Sequence, residues 1–186
     1  MYEVLTLIGL SIWLGLPAWI ANAIPVILGG GLPIDLGKDF IDGKRVLGNG
    51  KTTRGFVTGV LFGTLVGAAQ SVVAPFLVAE VTQYVVVTPE MLSIFHLTIP
   101  ISFLQSTGAL TGDMIGSFVK RRVDVRSGNP APVLDQLGFI IMALLFSSPL
   151  IWPGRQYVSI LIIMTLVIHW ITNITGYILG LKDKPW

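Results

Sequence analysis

Two aspartates flank a short basic run in the second half of the sequence. Asp113 lies inside an apolar segment, and Asp135 lies just before the next apolar segment. The basic residues between them are Lys120, Arg121 and Arg122. An acid at the edge of a membrane span is energetically costly and is usually retained for a function. Because carboxylates bind divalent metals and basic side chains bind phosphates, the pattern predicts a site for a metal-bound, highly anionic ligand.

A second set of candidate residues lies in the glycine-rich segment 29–54. Seven glycines fall between Gly29 and Gly50, and glycine allows backbone N–H groups to approach an anion closely. Acidic and basic side chains alternate along the same segment. We therefore predict that it binds an anion; the alternative is a solvated connector that contacts anionic headgroups. Residues 48–52 resemble the end of a Walker A loop, but Arg45 stands where that motif requires its first glycine, which excludes a P-loop.

The composition is that of a membrane protein. Of the 186 residues, 53% are hydrophobic and 12% are charged, which is about half the charged fraction of a typical soluble domain. Cysteine is absent and there are two histidines, which excludes a disulfide framework and argues against a zinc site of His and Cys ligands. We predict a single membrane-embedded domain, residues 1–186, of the all-α class.

Five apolar stretches are candidates for transmembrane helices. The fourth is short and is closed by Pro149 and Pro153, so its helix could begin inside the preceding loop. The predicted spans are residues 4–28, 55–78, 93–117, 137–153 and 157–180.

Basic residues concentrate on one side of these spans. Loops 29–54 and 118–136 and the C-terminal tail carry eleven of the twelve Lys and Arg residues, and Arg155 is the exception. Because positively charged loops stay in the cytoplasm, we predict a multi-pass protein of the cell membrane with its N-terminus outside. The C-terminus and both long loops are then cytoplasmic, and the two loops form one site.

The third predicted span has one polar face. Asp113, Ser117 and Lys120 recur at helical spacing, so this face becomes more charged toward the cytoplasm. In the alternative interpretation, Asp113 only forms an ion pair with Lys120 or Arg121. Glycines at positions 108, 112 and 116 lie close to this face, where they either pack against another helix or give a ligand access.

The residues around the two aspartates resemble a known family, the CDP-diacylglycerol synthase group of membrane cytidylyltransferases. The segment PAWIANAIP, the loop GGGLPIDLGKDFIDGKRVLGNGKTTRG and the ending LGLKDKPW resemble its archaeal branch, the CDP-archaeol synthases, and the likeness covers essentially the whole chain. The sequence departs from the bacterial signature at residues 129–136, where the bacterial enzymes carry His-Gly-Gly, so their metal ligands do not transfer directly. The residues that match the group's signature are Gly112, Asp113, Ser117, Lys120, Arg121, Pro132 and Asp135.

The resemblance implies a CTP-dependent lipid nucleotidyltransferase. Its reaction transfers CMP from CTP to 2,3-bis-O-geranylgeranylglycerol 1-phosphate, forms CDP-archaeol and pyrophosphate, and requires Mg²⁺. The implied catalytic residues are Asp113, Lys120, Arg121 and Asp135, with the two aspartates as metal ligands. Asp35 and Asp42 are candidates for contacts with the ribose, the base or a second metal. The residues implied to hold the nucleotide and its phosphates are Asp35, Gly37, Lys38, Asp42, Arg45, Gly48, Gly50, Lys51, Thr52, Arg54 and Arg122.

The implied partners are CTP, an isoprenoid ether-lipid phosphate and membrane lipids, with no nucleic acid and with the oligomeric state open. Two alternative functions remain. A CTP-dependent polyprenol or lipid kinase would release CDP and a phosphorylated lipid. A small ion or anion transporter would move its substrate without nucleotide turnover, but the clustering of polar groups at one side of the membrane argues against it.

Overall fold

The computed structural model describes residues 1–125, 129 and 131–181. This part of the chain forms six α-helices and two isolated β-bridges, so the predicted all-α class is confirmed. Arg126, Lys182 and Lys184, which contributed to the predicted charge asymmetry, lie outside the described residues. The helices are α1 (Tyr2–Leu28), α2 (Thr53–Val81), α3 (Pro89–Phe95), α4 (Ile99–Arg122), α5 (Pro132–Ser147) and α6 (Arg155–Ile178).

Among the described residues, three helices are long and apolar enough to cross a membrane. The most apolar stretches of α1, α2 and α6 have mean hydropathies of 1.9, 1.8 and 1.9. Their outer faces expose large apolar side chains such as Phe76 and Trp170, as expected where a helix contacts lipid rather than water. The protein is therefore a membrane protein, and the count of five spans stays a prediction.

The third predicted span, residues 93–117, is divided in the structure. α3 ends at Phe95 and α4 begins at Ile99. A single continuous helix would place Pro100 in its interior, where the ring clashes with the carbonyl of His96 and no N–H is available to bond it. The chain therefore leaves one helix and starts another, with proline in the favoured first turn.

The predicted loop 118–136 is shorter in the structure because helices extend into it from both sides. The basic run lies in the last turn of α4, where positive charge interacts favourably with the helix dipole. The fourth predicted span, 137–153, corresponds to α5, which begins earlier and ends at Ser147. Its early start agrees with the possibility that the short span begins inside the loop.

Closely spaced glycines let α2 pack against α1 and α4. Gly59, Gly63 and Gly67 recur every four residues and are all buried. A Cβ atom at Gly63 would lie 2.6 Å from the carbonyl oxygen of Pro17 in α1, and one at Gly59 would lie 2.8 Å from Leu110 in α4. This packing places the first turn of α2 beside α4.

We expect Gly63→Ala to lower the free energy of unfolding by about 1–3 kcal/mol, because the new methyl group overlaps a backbone atom that cannot move alone. The matched control is Gly9→Ala in α1, since a Cβ at Gly9 meets nothing within 4 Å. Thermal unfolding of both variants in detergent measures the difference. Equal midpoints for the two variants would show that close α1–α2 packing does not limit stability.

The glycines of the third predicted span pack against α5. A Cβ atom at Gly112 would lie 2.5 Å from the carbonyl oxygen of Gly138, and one at Gly108 would lie 2.5 Å from that of Met142. Of the two interpretations of these glycines, the structure shows helix packing. The contact brings the first turn of α5, which contains Asp135, next to the end of α4.

Two buried glutamines connect α1 to its neighbours. Pro17 has no N–H, so the carbonyl of Trp13 loses its partner within α1. Gln70 of α2 donates to that carbonyl oxygen at 2.7 Å, and Gln105 of α4 donates to the carbonyl oxygen of Leu14 at 3.3 Å. Neighbouring helices thus satisfy backbone groups that water cannot reach in a bilayer, and the contacts hold the three helices in register.

Candidate functional site

Residues 29–52 form an ordered loop between α1 and α2. Near its ends, the N–H of Ile34 donates to the carbonyl oxygen of Lys51 at 2.8 Å. Thr52 is the N-cap of α2, and its hydroxyl accepts from the N–H of Gly55 at 3.1 Å. Lys51 and Thr52 therefore lie at the base of the loop, where the chain enters the helical bundle.

The centre of this loop is the buried carboxylate of Asp35. Arg45 donates two hydrogen bonds to it, at 2.9 and 3.0 Å. The N–H groups of Gly37, Leu47 and Gly48 donate three more, at 2.9 to 3.2 Å. Gly37 and Gly48 have φ values of 80° and 114°, which favour glycine. Here these predicted anion-binding groups bind the chain's own carboxylate, and their contact with a nucleotide stays a prediction.

The Asp35 contacts predict how the order of the loop depends on pH. The Arg45 guanidinium and the backbone donors hold the pKa of the Asp35 carboxyl well below its usual value of 3.8, although burial opposes them. A lowered pKa in the folded state stabilises the fold above the unfolded-state pKa, and this stabilisation is lost as the pH falls toward the folded-state pKa. We therefore expect the loop to keep full order at neutral pH and to lose it only in acid below about pH 4.

Hydrogen exchange of the loop amides measures this effect. Asp35→Asn is expected to lower amide protection at pH 7 by roughly tenfold, because it leaves buried donors with weaker acceptors. It should also remove the component of protection that disappears in acid. If the wild type and Asp35→Asn lose protection over the same acid range, another group is responsible.

Lys51 and Asp113 form an ion pair between the base of the loop and α4. They lie in an open pocket whose lining includes Gly50, Thr52 and Leu110. The Lys51 and Asp113 side chains are 27% and 29% exposed, so a ligand from solvent can reach them. The pocket therefore brings together one predicted metal ligand and three predicted nucleotide-binding residues.

Lys120 and Asp135 form a second ion pair, with 2.7 Å between Nζ and the carboxylate. The other Asp135 oxygen accepts from the N–H of Ala131 at 2.9 Å. In the structure Asp113 pairs with Lys51, and Lys120 pairs with Asp135. The alternative in which Asp113 pairs with Lys120 or Arg121 is therefore wrong. Each pair thus joins a helix to the segment packed against it.

Asp113 and Asp135 suit a metal that arrives with its ligand. Among the described residues, no group of three acidic or histidine side chains could hold a metal ion. Mg²⁺, however, is usually bound through one or two carboxylates, with substrate phosphates and water completing its shell. The 29% and 25% exposed carboxylates of the two aspartates fit that arrangement. Whether they share one ion stays a prediction.

The other residues predicted to bind the nucleotide and its phosphates differ in their exposure and in their contacts within the protein. Lys38 and Arg54 are exposed, and their charges can meet phosphates. Arg121 donates to a backbone carbonyl just beyond α4, at 2.5 Å. Arg122 forms an ion pair with Asp42 at 2.9 Å. The side chains of Arg121, Arg122 and Asp42 therefore contact other groups of the protein. Contacts of Asp42 and Arg122 with a nucleotide stay predictions.

Sequence reasoning missed four residues around Arg122. Its guanidinium lies over the rings of Phe40 and Phe118, and Lys44 and Asp124 form an ion pair beside it. Phe118 and Arg122 are four residues apart in α4, a spacing that places them on one helix face, so the sequence contained this signal. The contribution of the loop residues depends on tertiary contact and has no comparable local signal.

These features define a class of protein. Three helices of the bundle are long and apolar enough to cross a bilayer, and the loop, α4 and α5 contribute two lysine–carboxylate pairs at one end of it. The residue types at that end bind phosphates and divalent cations. The chain is thus a helical membrane protein whose site suits a phosphorylated, metal-bound ligand.

Comparison with known proteins gives the family. A family model described as CDP-archaeol synthase matches residues 4–186. The CDP-archaeol synthases of Pyrococcus abyssi and Methanocaldococcus jannaschii are 43% and 42% identical to the chain, over 95% of this chain and 96% of each relative. A solved structure described as an intramembrane enzyme for archaeal membrane lipids biosynthesis is 38% identical, with a TM-score of 0.67 over 88% of this chain and 92% of that chain. The chain belongs to the CDP-archaeol synthase family.

Proposed function

We propose that the protein transfers CMP from CTP to 2,3-bis-O-geranylgeranylglycerol 1-phosphate, forming CDP-archaeol and pyrophosphate. The observation that carries this proposal is the family match over residues 4–186, together with relatives named CDP-archaeol synthase. The two lysine–carboxylate pairs provide the kind of site that such a reaction needs.

The reaction depends on charge stabilisation more than on a strong base. A phosphate monoester is largely doubly ionised at neutral pH, because its second pKa is about 6. One of its oxygens attacks the α-phosphorus of CTP, and the bond from that phosphorus to the bridging oxygen of pyrophosphate breaks. No proton has to be removed from the nucleophile. The main costs are bringing two polyanions together and stabilising the leaving pyrophosphate.

The two lysines of the site match these requirements. Lys51 and Lys120 each lie against a carboxylate and are partly exposed, so both can contact phosphate oxygens. Bound Mg²⁺, held by Asp113 and Asp135 together with phosphate oxygens, would neutralise charge and polarise the phosphoryl group. The exposed Lys38 adds positive charge in the loop.

The membrane topology is part of the proposal. We infer five spans, α1, α2, α4, α5 and α6, because the seven-residue α3 is too short to cross. The described basic residues of the loop and of α4 lie at the site end of the bundle, whereas Arg155 begins α6 at the opposite end. By the positive-inside rule, the site faces the cytoplasm and the N-terminus faces outward.

A product assay tests the reaction. The purified protein in liposomes receives Mg²⁺, the geranylgeranyl lipid phosphate and CTP labelled at either the α- or the γ-phosphate. We expect α-label in the lipid extract and γ-label in pyrophosphate, in equal amounts. The matched acceptor control is the same lipid without its phosphate, which should accept no label.

Other outcomes would contradict the proposal in recognisable ways. Transfer of γ-label to the unphosphorylated lipid, with release of CDP, would identify a kinase. Turnover that persists unchanged in EDTA would remove the proposed metal requirement while leaving the transfer intact. No label transfer to any lipid phosphate would reject the cytidylyltransferase assignment itself.

A further inference from the structure

The end of α4 makes an extensive contact with the glycine-rich loop, outside the pocket that holds Lys51 and Asp113. We call this contact the loop latch. Its loop residues come from the part of the chain that the sequence assigns to nucleotide binding. The latch consists of Phe40, Asp42 and Lys44 from the loop and Phe118, Arg122 and Asp124 from α4 and the turn after it.

The Arg122 guanidinium lies over two aromatic rings that contact each other. Its central carbon lies 5.1 Å from the ring centre of Phe40 and 4.5 Å from that of Phe118. The rings themselves meet edge to face, with centroids 5.2 Å apart. A cation held over aromatic faces is stabilised most when water is excluded, and the Arg122 side chain is 20% exposed. The rings and the low exposure therefore limit access of a ligand to the guanidinium.

Arg122 also uses its hydrogen-bonding edge within the protein. Nε lies 2.9 Å from a carboxylate oxygen of Asp42, and Nη2 donates to the carbonyl oxygens of Lys44 and Arg45 at 3.0 and 2.6 Å. Nε and Nη1 are both buried and make no hydrogen bond to the described residues, so the contact of Nε with Asp42 is an ion pair only. A phosphate could reach Nη1 only if the latch opened.

The turn after α4 presents a carboxylate to the loop at some conformational cost. Asp124 has φ of 60°, and the N–H groups of Asp124 and Val125 donate back to the carbonyl oxygens of Arg121 and Lys120. Glycine is the usual residue at this position of a helix end, because it adopts positive φ without strain. Here the aspartate instead contacts Lys44 Nζ at 2.7 Å.

A continuous series of contacts connects the latch to the pocket. Arg122 donates to the Arg45 carbonyl, and the Arg45 side chain binds Asp35. Asp35 accepts from the N–H of Gly48, whose carbonyl accepts from the N–H of Lys51 at 3.2 Å. Lys51 in turn pairs with Asp113. The position of Lys51 therefore depends on the loop being held against α4.

We propose that Arg122 is a positioning residue that fixes the glycine-rich loop for nucleotide binding, and that it is not a phosphate ligand. Its predicted effect on CTP rests on the proposed function. Its effect on the order of the loop does not, because that follows from the contacts alone.

Limited trypsin digestion tests the latch directly, because the loop contains four possible cleavage sites: Lys38, Lys44, Arg45 and Lys51. The test variants are Arg122→Lys, which keeps the charge but loses the planar fork, and Phe118→Leu, which removes a ring and leaves every charged group in place. Asp124→Asn keeps a residue that tolerates positive φ and removes one charge. Arg155→Lys, at the other end of the bundle, is the matched control.

We expect Arg122→Lys and Phe118→Leu to speed cleavage within the loop by about tenfold, because loss of the cation–π contact raises the population of the open loop. Asp124→Asn should change it by about twofold at most, since its carboxylate is 79% exposed and exposed ion pairs contribute little. Arg155→Lys should match the wild type. In the first two variants KM for CTP should rise by a similar factor while kcat changes less, and saturating CTP should restore protection.

Several results would overturn the proposal. A higher KM for CTP in Arg122→Lys, with loop cleavage unchanged, would make Arg122 a phosphate ligand. Unchanged cleavage in Phe118→Leu would show that the cation–π contact does not hold the loop, and this variant decides the matter even if Arg122→Lys fails to fold. If the wild-type protein transfers no CMP, the proposed function fails, whereas the digestion rates still establish or reject the latch.

Discussion

Asp113→Asn is expected to lower the rate of CMP transfer by about 10²- to 10³-fold while the helical bundle stays folded. The change removes one negative charge and preserves side-chain size. It takes away an oxygen ligand of the kind Mg²⁺ prefers, and it leaves Lys51 without the carboxylate that it contacts. Both effects act in the pocket lined by the predicted nucleotide-binding residues Gly50, Lys51 and Thr52.

Two measurements on the same preparation separate an effect on catalysis from an effect on folding. They are the transfer of α-labelled CMP and thermal unfolding in detergent. The control is Glu80→Gln, an exposed acid near the far end of α2, which should retain full activity. Wild-type turnover by Asp113→Asn would remove this residue from the metal site. A large drop in the unfolding midpoint would assign its role to structure.

Asp135→Asn is expected to lower transfer by about 10²-fold or more, with little change in stability. One Asp135 oxygen contacts Lys120 and the other accepts from the N–H of Ala131. Asparagine can keep the bond to Ala131 through its amide oxygen but cannot supply the negative charge. The expected loss of activity therefore measures the effect of removing the negative charge, and not an effect on the structure at the start of α5.

Asp135→Ala supplies the matched comparison. It loses the charge and also the bond to the Ala131 N–H, so it should lose similar activity and in addition about 1 kcal/mol of stability. Activity in Asp135→Asn close to the wild type, beside a loss in Asp135→Ala, would show that Asp135 only caps the helix. Equal unfolding midpoints for the two variants would show that the bond to Ala131 contributes nothing.

The ends of the helices show where local sequence patterns were sufficient to predict the structure and where they were not. The predicted spans 4–28 and 55–78 agree closely with α1 and α2, because long apolar runs specify helices in a bilayer without reference to the rest of the chain. The third span, 93–117, was predicted as one helix, whereas the chain breaks before Pro100 into α3 and α4. The basic run was assigned to a loop because it is charged, although charge at a helix C-terminus stabilises that helix.

The partners of the charged residues could not be predicted in the same way. Asp113 and Lys120 lie on one face of α4, which suggested that they pair, but seven residues separate them by about 10 Å along the helix axis. Lys51, sixty-two positions away in sequence, instead reaches Asp113. That pairing depends on α2 packing closely against α4, and the packing depends on which α2 glycines face which α4 side chains.

The sequence by itself determined the membrane setting, the all-α class, the candidate acids and bases and the resemblance to the family, because composition, periodicity and short motifs are local properties. Only the tertiary structure decided which lysine pairs with which aspartate, that Asp35 organises the loop from its interior, and that Arg122 lies over Phe40 and Phe118. The physical reason is that a charged side chain acts through the groups within a few ångströms of it. In this protein those groups come from segments that meet only when small residues allow the helices to pack closely.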